Sequence, residues 1–445
     1  MTKLYLKQKI VVFFFLSLPF IDLITSLDTR YGILPISIGI VLKGISLVAS
    51  LAYVFFYSRS PYRKQTITYL LCLLVFIGVF FLTKPDVWTL SGLFGHFTYL
   101  FKFFYFPVMT VCLYHVFHDL KINTRIIKNI ICINAFVFSL LILIPHLSGT
   151  GFYTYGHPEL GSQGWFFAAN EIGSILAILS ICVITLMDNP KKWKLLIAGG
   201  IIFATSIIGT KVSFFGLIIS VLGAIIVFII KHKRDLIFFP ITILIILVIC
   251  CINSPGINNI NRLSIEVGNI PSSNTLFAAN AESTVPELED PVQTTQELIA
   301  NNKILRIIDK ILDTRLYMFI ENGKSFIAGG WNTQLFGLGF TPRPLINYNP
   351  GRQFAEIDSF DIVLHFGIVG CLLYFAPFVF LIKKWICHRK QMPIESYAYL
   401  LAVLLGIGIS FVAGHVLSAP AVSIYITLLI LLVIQQVENN SGTVN

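Results

Sequence analysis

Apolar runs of about twenty residues, the length a helix needs to cross a bilayer, recur along this chain between short polar stretches. They predict membrane helices near 10–26, 33–57, 66–83, 98–118, 126–146, 164–186, 193–209, 212–230, 235–252, 360–382, 395–413 and 419–436, twelve in all. One long interruption, 253–359, separates the ninth from the tenth. Its first half, to residue 300, is rich in Asn, Ser, Pro and Glu and carries the acidic run Glu287-Leu288-Glu289-Asp290, a composition that buries little. From Asn301 the pattern changes. Ile304, Ile307, Ile308, Ile311 and Leu312 recur at helical spacing among Lys303, Arg306, Asp309, Lys310 and Asp313, predicting an amphipathic helix over 301–322 that lies on a membrane surface. Two glycine-rich stretches follow, Gly329-Gly330-Trp331 and Phe336-Gly337-Leu338-Gly339-Phe340, and then Arg343 and Arg352. Glycines beside arginines suit a phosphate, though neither a Walker spacing nor a dinucleotide fingerprint is present. The fold expected is an all-α polytopic membrane protein with helices one to nine in 1–252, an extracytoplasmic loop at 253–359, helices ten to twelve in 360–436 and a cytoplasmic tail at 437–445.

Composition agrees with this class. Of 445 residues 56% are hydrophobic and 12% charged, and the mean hydropathy is +0.81. Charge then orients the chain. Lys3/Lys7/Lys9, Arg59/Arg63/Lys64, Lys121/Arg125/Lys128, Lys191/Lys192/Lys194, Lys231/Lys233/Arg234 and Lys383/Lys384/Arg389/Lys390 all fall on one side of the alternating spans. The short loops of the other side hold only Arg30, Lys84 and Lys211. The positive-inside rule therefore puts both termini in the cytoplasm and 253–359 outside. The same asymmetry accounts for the net charge of +10, so no nucleic-acid partner is needed. The basic start of the first run lacks a small-residue cleavage site before Asp22 and Asp28, so it reads as a retained helix. None of the eight cysteines lies in an outer loop and no pair has metal-ligand spacing. They read as small apolar side chains, and neither a metal nor a cofactor is expected.

The densest chemistry is Glu356-Ile357-Asp358-Ser359-Phe360-Asp361, three carboxylates opening an apolar run, with His365 one turn further on. Acids at the edge of hydrocarbon are costly, so their default reading is functional. Other ionisable groups inside the spans lie at the same outer level: Asp22, Lys102, Glu171 next to Asn170, Lys211 and His415. Lys43 is nearer mid-membrane. Singly, each has a plainer reading. Lys102 and Lys43 can snorkel or pair structurally, His365 fits a satisfied core histidine, and Glu171 can bind helix to helix. Together they form the kind of site an amphiphilic, phosphate-bearing lipid needs. Few acids lie in the inner halves, which argues against a proton-driven transporter.

Four ordered segments resemble the O-antigen ligase and polymerase superfamily of bacterial polysaccharide enzymes. They are Gly164-Trp165-Phe166-Phe167-Ala168-Ala169-Asn170-Glu171; Ile208-Gly209-Thr210-Lys211-Val212-Ser213; Arg315 with its following helix and Phe336-Gly337-Leu338-Gly339; and Glu356 through Gly370. The match covers roughly 160–385. The resemblance implies a membrane-embedded fold of the glycosyltransferase C type. It also implies transfer of a glycan from an undecaprenyl diphosphate carrier, on the outer face, to an acceptor hydroxyl, with inversion and without a metal. Its implied partners are the lipid-linked glycan, an acceptor glycan and membrane lipid, with a flippase and a chain-length regulator as candidate protein partners. Two positions depart from the family pattern. Ligases typically carry a histidine-asparagine pair near Glu356-Ile357, so a carboxylate there looks more like a repeat-unit polymerase. Lys211 replaces an arginine, keeping the charge and losing the bidentate fork.

Set against that chemistry, Glu356 is the first choice for the base that takes the acceptor proton and Asp358 the second. A helical Glu356 and Asp358 would point about 200° apart, so only one would face the acceptor. Arg315 and Lys211 are the preferred cations for the leaving diphosphate, with Arg343, Arg352 and Lys102 in reserve. Asp361, His365, His415, Asn170 and Glu171 support the site. A polymerase leads this reading and a ligase is its neighbour. The rival of another class is a lipid-linked oligosaccharide flippase or transporter. Transporters commonly show two related halves and short outer loops; this chain shows no repeat of six helices and has one long loop.

Overall fold

A computed structural model describes residues 2–34, 37–84, 89–186, 192–232, 238–260, 291–312, 315–340, 354–389 and 392–441. The apolar runs form helices α1 (Thr2–Tyr31), α2 (Ile38–Phe56), α3 (Arg63–Leu82), α4 (Leu90–Asp119) and α5 (Thr124–Ser148). After a small hairpin come α6 (Ala169–Thr185), α7 (Lys192–Ile207), α8 (Lys211–His232) and α9 (Phe238–Ile252). Four short helices follow: α10 (Pro291–Asn301), α11 (Lys303–Ile311), α12 (Leu316–Ala328) and α13 (Gly330–Phe336). The chain closes with α14 (Asp358–His388), α15 (Ile394–Val412) and α16 (Pro420–Ser441). Among the described residues nine helices are long and apolar enough to cross a membrane. Three shorter apolar helices, Ala169–Thr185, Leu195–Ile207 and Phe238–Ile252, stand at the sixth, seventh and ninth predicted spans. The protein is a nearly all-helical, polytopic membrane protein.

The centre of the bundle is α6. Almost every residue from Ile172 to Thr185 is buried, as expected of a helix apolar all round. It lies closest to α8 because small residues line the seam. A Cβ on Gly216 would come within 2.9 Å of the Ala177 methyl, and one on Gly173 within 3.0 Å of Ser213 Cβ. Ser220 Oγ donates across the same seam to the Ala177 carbonyl. In a lipid setting, where one apolar surface is as good as another, such close approach is what holds helices together.

The two ends of the bundle differ. At one end lie the N-termini of α2, α6, α8, α14 and α16 and the C-termini of α1 and α15, around two cavities. The other end is tied by ion pairs that use the basic loops: Lys128 Nζ to Glu395 at 2.7 Å and Lys384 Nζ to Glu438 at 2.5 Å. There too the Arg59 backbone N–H donates to the Asp119 carboxylate at 2.9 Å.

Three local expectations change. The sixth helix starts at Ala169 and not at 164, because Phe152–Tyr153 and Ser162–Gly164 form an antiparallel two-stranded hairpin. Gly164 sits there at φ +63, where a Cβ would lie 2.5 Å from the Leu141 carbonyl oxygen. The periodic stretch 301–322 divides into α11 and α12, with Arg315 at the N-cap of the second. Of the glycines in 336–340, Gly337 packs on backbone and Gly339 on the side chains of Lys84 and His96. α14 is broken at Gly367 (φ +73, ψ −175), and the Leu338 and Gly339 N–H groups donate to the freed carbonyls of Leu364 (2.8 Å) and His365 (3.1 Å). A Cβ on Gly337 would lie 2.1 Å from the His365 carbonyl oxygen. Lys84 Nζ completes the joint by donating to the Gly337 carbonyl.

Candidate active site

Glu356 lies just before α14, so the expectation that it and Asp358 are two helical side chains diverging by their spacing does not apply. It has φ +56, a left-handed conformation that costs a non-glycine residue about 1 kcal/mol or more. Its neighbours hold it there. Ala355 and Ile357 are fully buried, and their N–H groups donate to the two oxygens of Asp361 at 3.0 and 3.1 Å. On the far side Gly414 packs so closely that a Cβ would lie 2.0 Å from the Glu356 carbonyl oxygen. The Glu356 carboxylate meets Arg315, whose Nε and Nη2 each donate to Oε2 at 3.3 Å. His415 Nε2 lies 3.8 Å from the same oxygen. The carboxylate beside His415 raises the imidazole's pKa above its ordinary 6.5; burial opposes this, and Glu171 and Asp358 add to it.

Asp358, the first residue of α14, is fully engaged. Its Oδ1 accepts from the His415 N–H (3.1 Å) and Ser418 Oγ (2.5 Å), and its Oδ2 from the Val416 and Leu417 N–H groups (both 2.7 Å). It thereby ties the α15–α16 turn to the start of α14. Ser418 was not among the residues anticipated; its only sequence signal is its place just before the Ala419-Pro420 helix start. His365 lies deeper. Its Nδ1 is 2.6 Å from the Gly339 carbonyl, its ring stacks on Phe340 with centroids 5.2 Å apart, and its Nε2 is 3.8 Å from Asp361. Its partners hold the glycine joint in place. Asp361 grips the segment around Glu356. Through the Ala355 and Ile357 N–H groups it bears on the position of the Glu356 backbone.

Two cavities flank the Arg315–Glu356 contact. One, of about 580 Å³, runs between α8 and α15 along Phe215, Ile219, Leu405, Ile409 and Val412, with Lys211, Arg315 and Asn170 among its polar residues. The other, of about 490 Å³, is walled by Glu356, Glu171, Lys102, His415, Asp22 and Lys43. Asn170 and Glu171, adjacent at the start of α6, each face a different cavity. Arg343 and Arg352 lie outside the described residues. The other ten anticipated residues divide as described: Glu356, Asp358, Asp361, Lys102, Glu171 and His415 line the second cavity, Arg315, Lys211 and Asn170 the first, and His365 stands behind. Among the described residues four non-glycine positions have positive φ: Lys121, Tyr155, Glu356 and His415. Three of these, all but Lys121, line one cavity or the other. Backbone strain of this kind collects at functional sites, and nothing in the residue types announces it.

The model for O-antigen ligase like membrane proteins matches residues 5–440. The chain belongs to that family. No curated protein matches it. The earlier resemblance rested on 160–385, whereas the family match also takes in the first five helices, α1 with Asp22 included. Members of the O-antigen ligase like family are glycosyltransferase-type membrane enzymes of polysaccharide biosynthesis that act on lipid-linked glycans and polysaccharide acceptors.

Proposed function

We propose that this protein polymerises the repeat units of a cell-surface polysaccharide, taking the glycan from an undecaprenyl diphosphate carrier with inversion at the anomeric carbon. The observation that carries this is the Arg315–Glu356 contact, a cation and a carboxylate held at the junction of an apolar and a polar cavity. The polyprenyl tail runs along the cavity between α8 and α15, and its diphosphate meets Arg315 and Lys211. Arg343 and Arg352 stand in reserve for the same charge, whereas Lys102 lines the polar cavity. Binding of the diphosphate draws Arg315 away from Glu356, and the carboxylate then acts as base. The acceptor hydroxyl, arriving from the polar side, gives its proton to Glu356 while its oxygen bonds to the anomeric carbon. The bond from that carbon to the diphosphate oxygen breaks, its electron pair stays on the phosphate, and the two cations stabilise the charge that develops. Asp358, anticipated as an alternative base, has its oxygens occupied by four donors and serves in this scheme as the anchor of the His415 turn.

In this reading twelve helices cross the cytoplasmic membrane, both termini are cytoplasmic and the cavities open on the outer face. Support comes from the basic loops, which gather at the end opposite the cavities. Polymerase is favoured over ligase because a carboxylate stands where ligases typically carry histidine. Purified protein given only a lipid-linked repeat unit should build a ladder of products. A requirement for a separate acceptor would make it a ligase, and no transfer of any kind would remove the enzymatic reading. Cysteines introduced by Ser272→Cys and Ser283→Cys should react with an impermeant reagent on intact cells; protection until permeabilisation would reverse the orientation.

A further inference from the structure

Resting on that reading, we infer that the wall of the polar cavity built by Asp22, Thr25, Ser26, Lys43, Glu171 and Lys102 is the acceptor-sugar subsite. It selects a neutral sugar that presents neighbouring hydroxyls.

The argument starts from hydrogen-bond capacity. Thr25 and Ser26 spend their hydroxyl hydrogens inside their own helix, on the Ile21 carbonyl at 2.7 Å and the Asp22 carbonyl at 2.8 Å. Towards a ligand their oxygens therefore have only lone pairs to offer. Asp22 is 5% exposed and receives Lys43 Nζ on Oδ1 at 2.6 Å, while its Oδ2 has no hydrogen-bond partner among the described residues. Buried carboxylate oxygens are rarely left unmet, so Asp22 brings to the cavity wall hydrogen-bond capacity that the described residues do not use. Glu171, part-exposed on the same cavity, adds a further acceptor. A wall rich in acceptors calls for a ligand rich in donors. A sugar diol supplies them, and its oxygens in turn accept from the ammonium groups of Lys43 and Lys102. An acidic sugar would set its own carboxylate against Glu171 and Glu356, which argues for a neutral one. The volume, about 490 Å³, suits a saccharide of one or two residues. One rim of the same cavity carries Glu356, so a sugar seated here brings a hydroxyl to the base.

The test varies acceptor and donor separately. Full-length protein in detergent receives, as donor, the lipid-linked repeat unit extracted from cells lacking this protein. The acceptor is the same repeat unit released from its lipid by mild acid. Asp22→Asn and Glu171→Gln should each raise the KM for the released unit tenfold or more, with donor KM and kcat within threefold of wild type. Because Asp22→Asn strands the Lys43 ammonium, the Asp22→Asn/Lys43→Met double variant is assayed beside it, and melting temperatures establish that each variant is folded. An unchanged acceptor KM, within twofold, in the folded variants overturns the subsite and leaves the proposed function standing. So does a wild-type enzyme that elongates the lipid-linked unit but neither extends nor is inhibited by the released one. Absence of all transfer by wild type would instead count against the proposed function.

Discussion

The two cavities that meet at Arg315 and Glu356 are close in size, about 580 and 490 Å³, and opposite in chemistry. The first is walled by aliphatic and aromatic side chains of α8 and α15 with cations among them; the second carries acids, amines and hydroxyls from α1, α2, α4 and α6. The difference bears on where binding energy comes from. Moving a methylene from water to an apolar site yields about 0.8 kcal/mol, but a polyprenyl tail already lies in hydrocarbon, where that gain is absent. Under the proposed function the apolar cavity therefore supplies shape and leaves affinity to the cations. In the polar cavity each hydrogen bond replaces one to water, so geometry decides, and the backbone strain at Glu356 and His415 is the device that fixes it.

This contrast can be broken at several points. Glu356→Gln keeps the size and removes the base; transfer from the lipid-linked unit should fall about 10³-fold, and a loss under tenfold would remove Glu356 from the chemistry. Arg315→Ala should cost about 10²-fold in the same assay, as expected for one lost charge stabiliser. Asp358→Asn acts on stability. It turns an amide towards N–H groups that have lost an acceptor, and should cost about 2 kcal/mol, read as a lowered melting temperature in detergent with poor recovery of folded protein. Gly408→Leu narrows the apolar cavity from a position where a Cβ meets nothing within 4 Å. Use of the lipid-linked donor should drop about tenfold, equivalent to about 1.4 kcal/mol, at unchanged melting temperature.

The smallest effect belongs to His415. Its pKa is raised in the folded protein, so the imidazolium's contribution is fully present below the ordinary 6.5 and fades as pH rises through the raised value. The side chain is 42% exposed, which limits that contribution to less than about 1 kcal/mol. A melting-temperature series should show wild type losing its advantage over His415→Gln across that window. Parallel curves would mean that the contact with Glu356 carries no stability.

Most helices were legible because a membrane span must be apolar over a fixed length, a constraint that acts on each segment alone. Charge placement was legible for the same reason. The hairpin before α6 was not, since its few residues carry no periodicity, and neither was the break at Gly367, where the freed carbonyls are satisfied by Leu338 and Gly339 from a distant segment. Within the site, the carboxylate cluster was visible but its division of labour was not. Glu356, Asp358 and Asp361 look alike in the chain and differ only in what donates to them.

The amino-acid sequence by itself determined the membrane class, the positions of the helices and the set of ionisable groups in their ends, because hydropathy and charge are properties of single segments. The tertiary structure alone decided that Asp358 faces four donors, that Arg315 reaches Glu356, and that Asn170 and Glu171 open on different cavities. Those facts depend on backbone groups and helix ends brought together from 41 or more residues apart in the chain, and no local pattern encodes them.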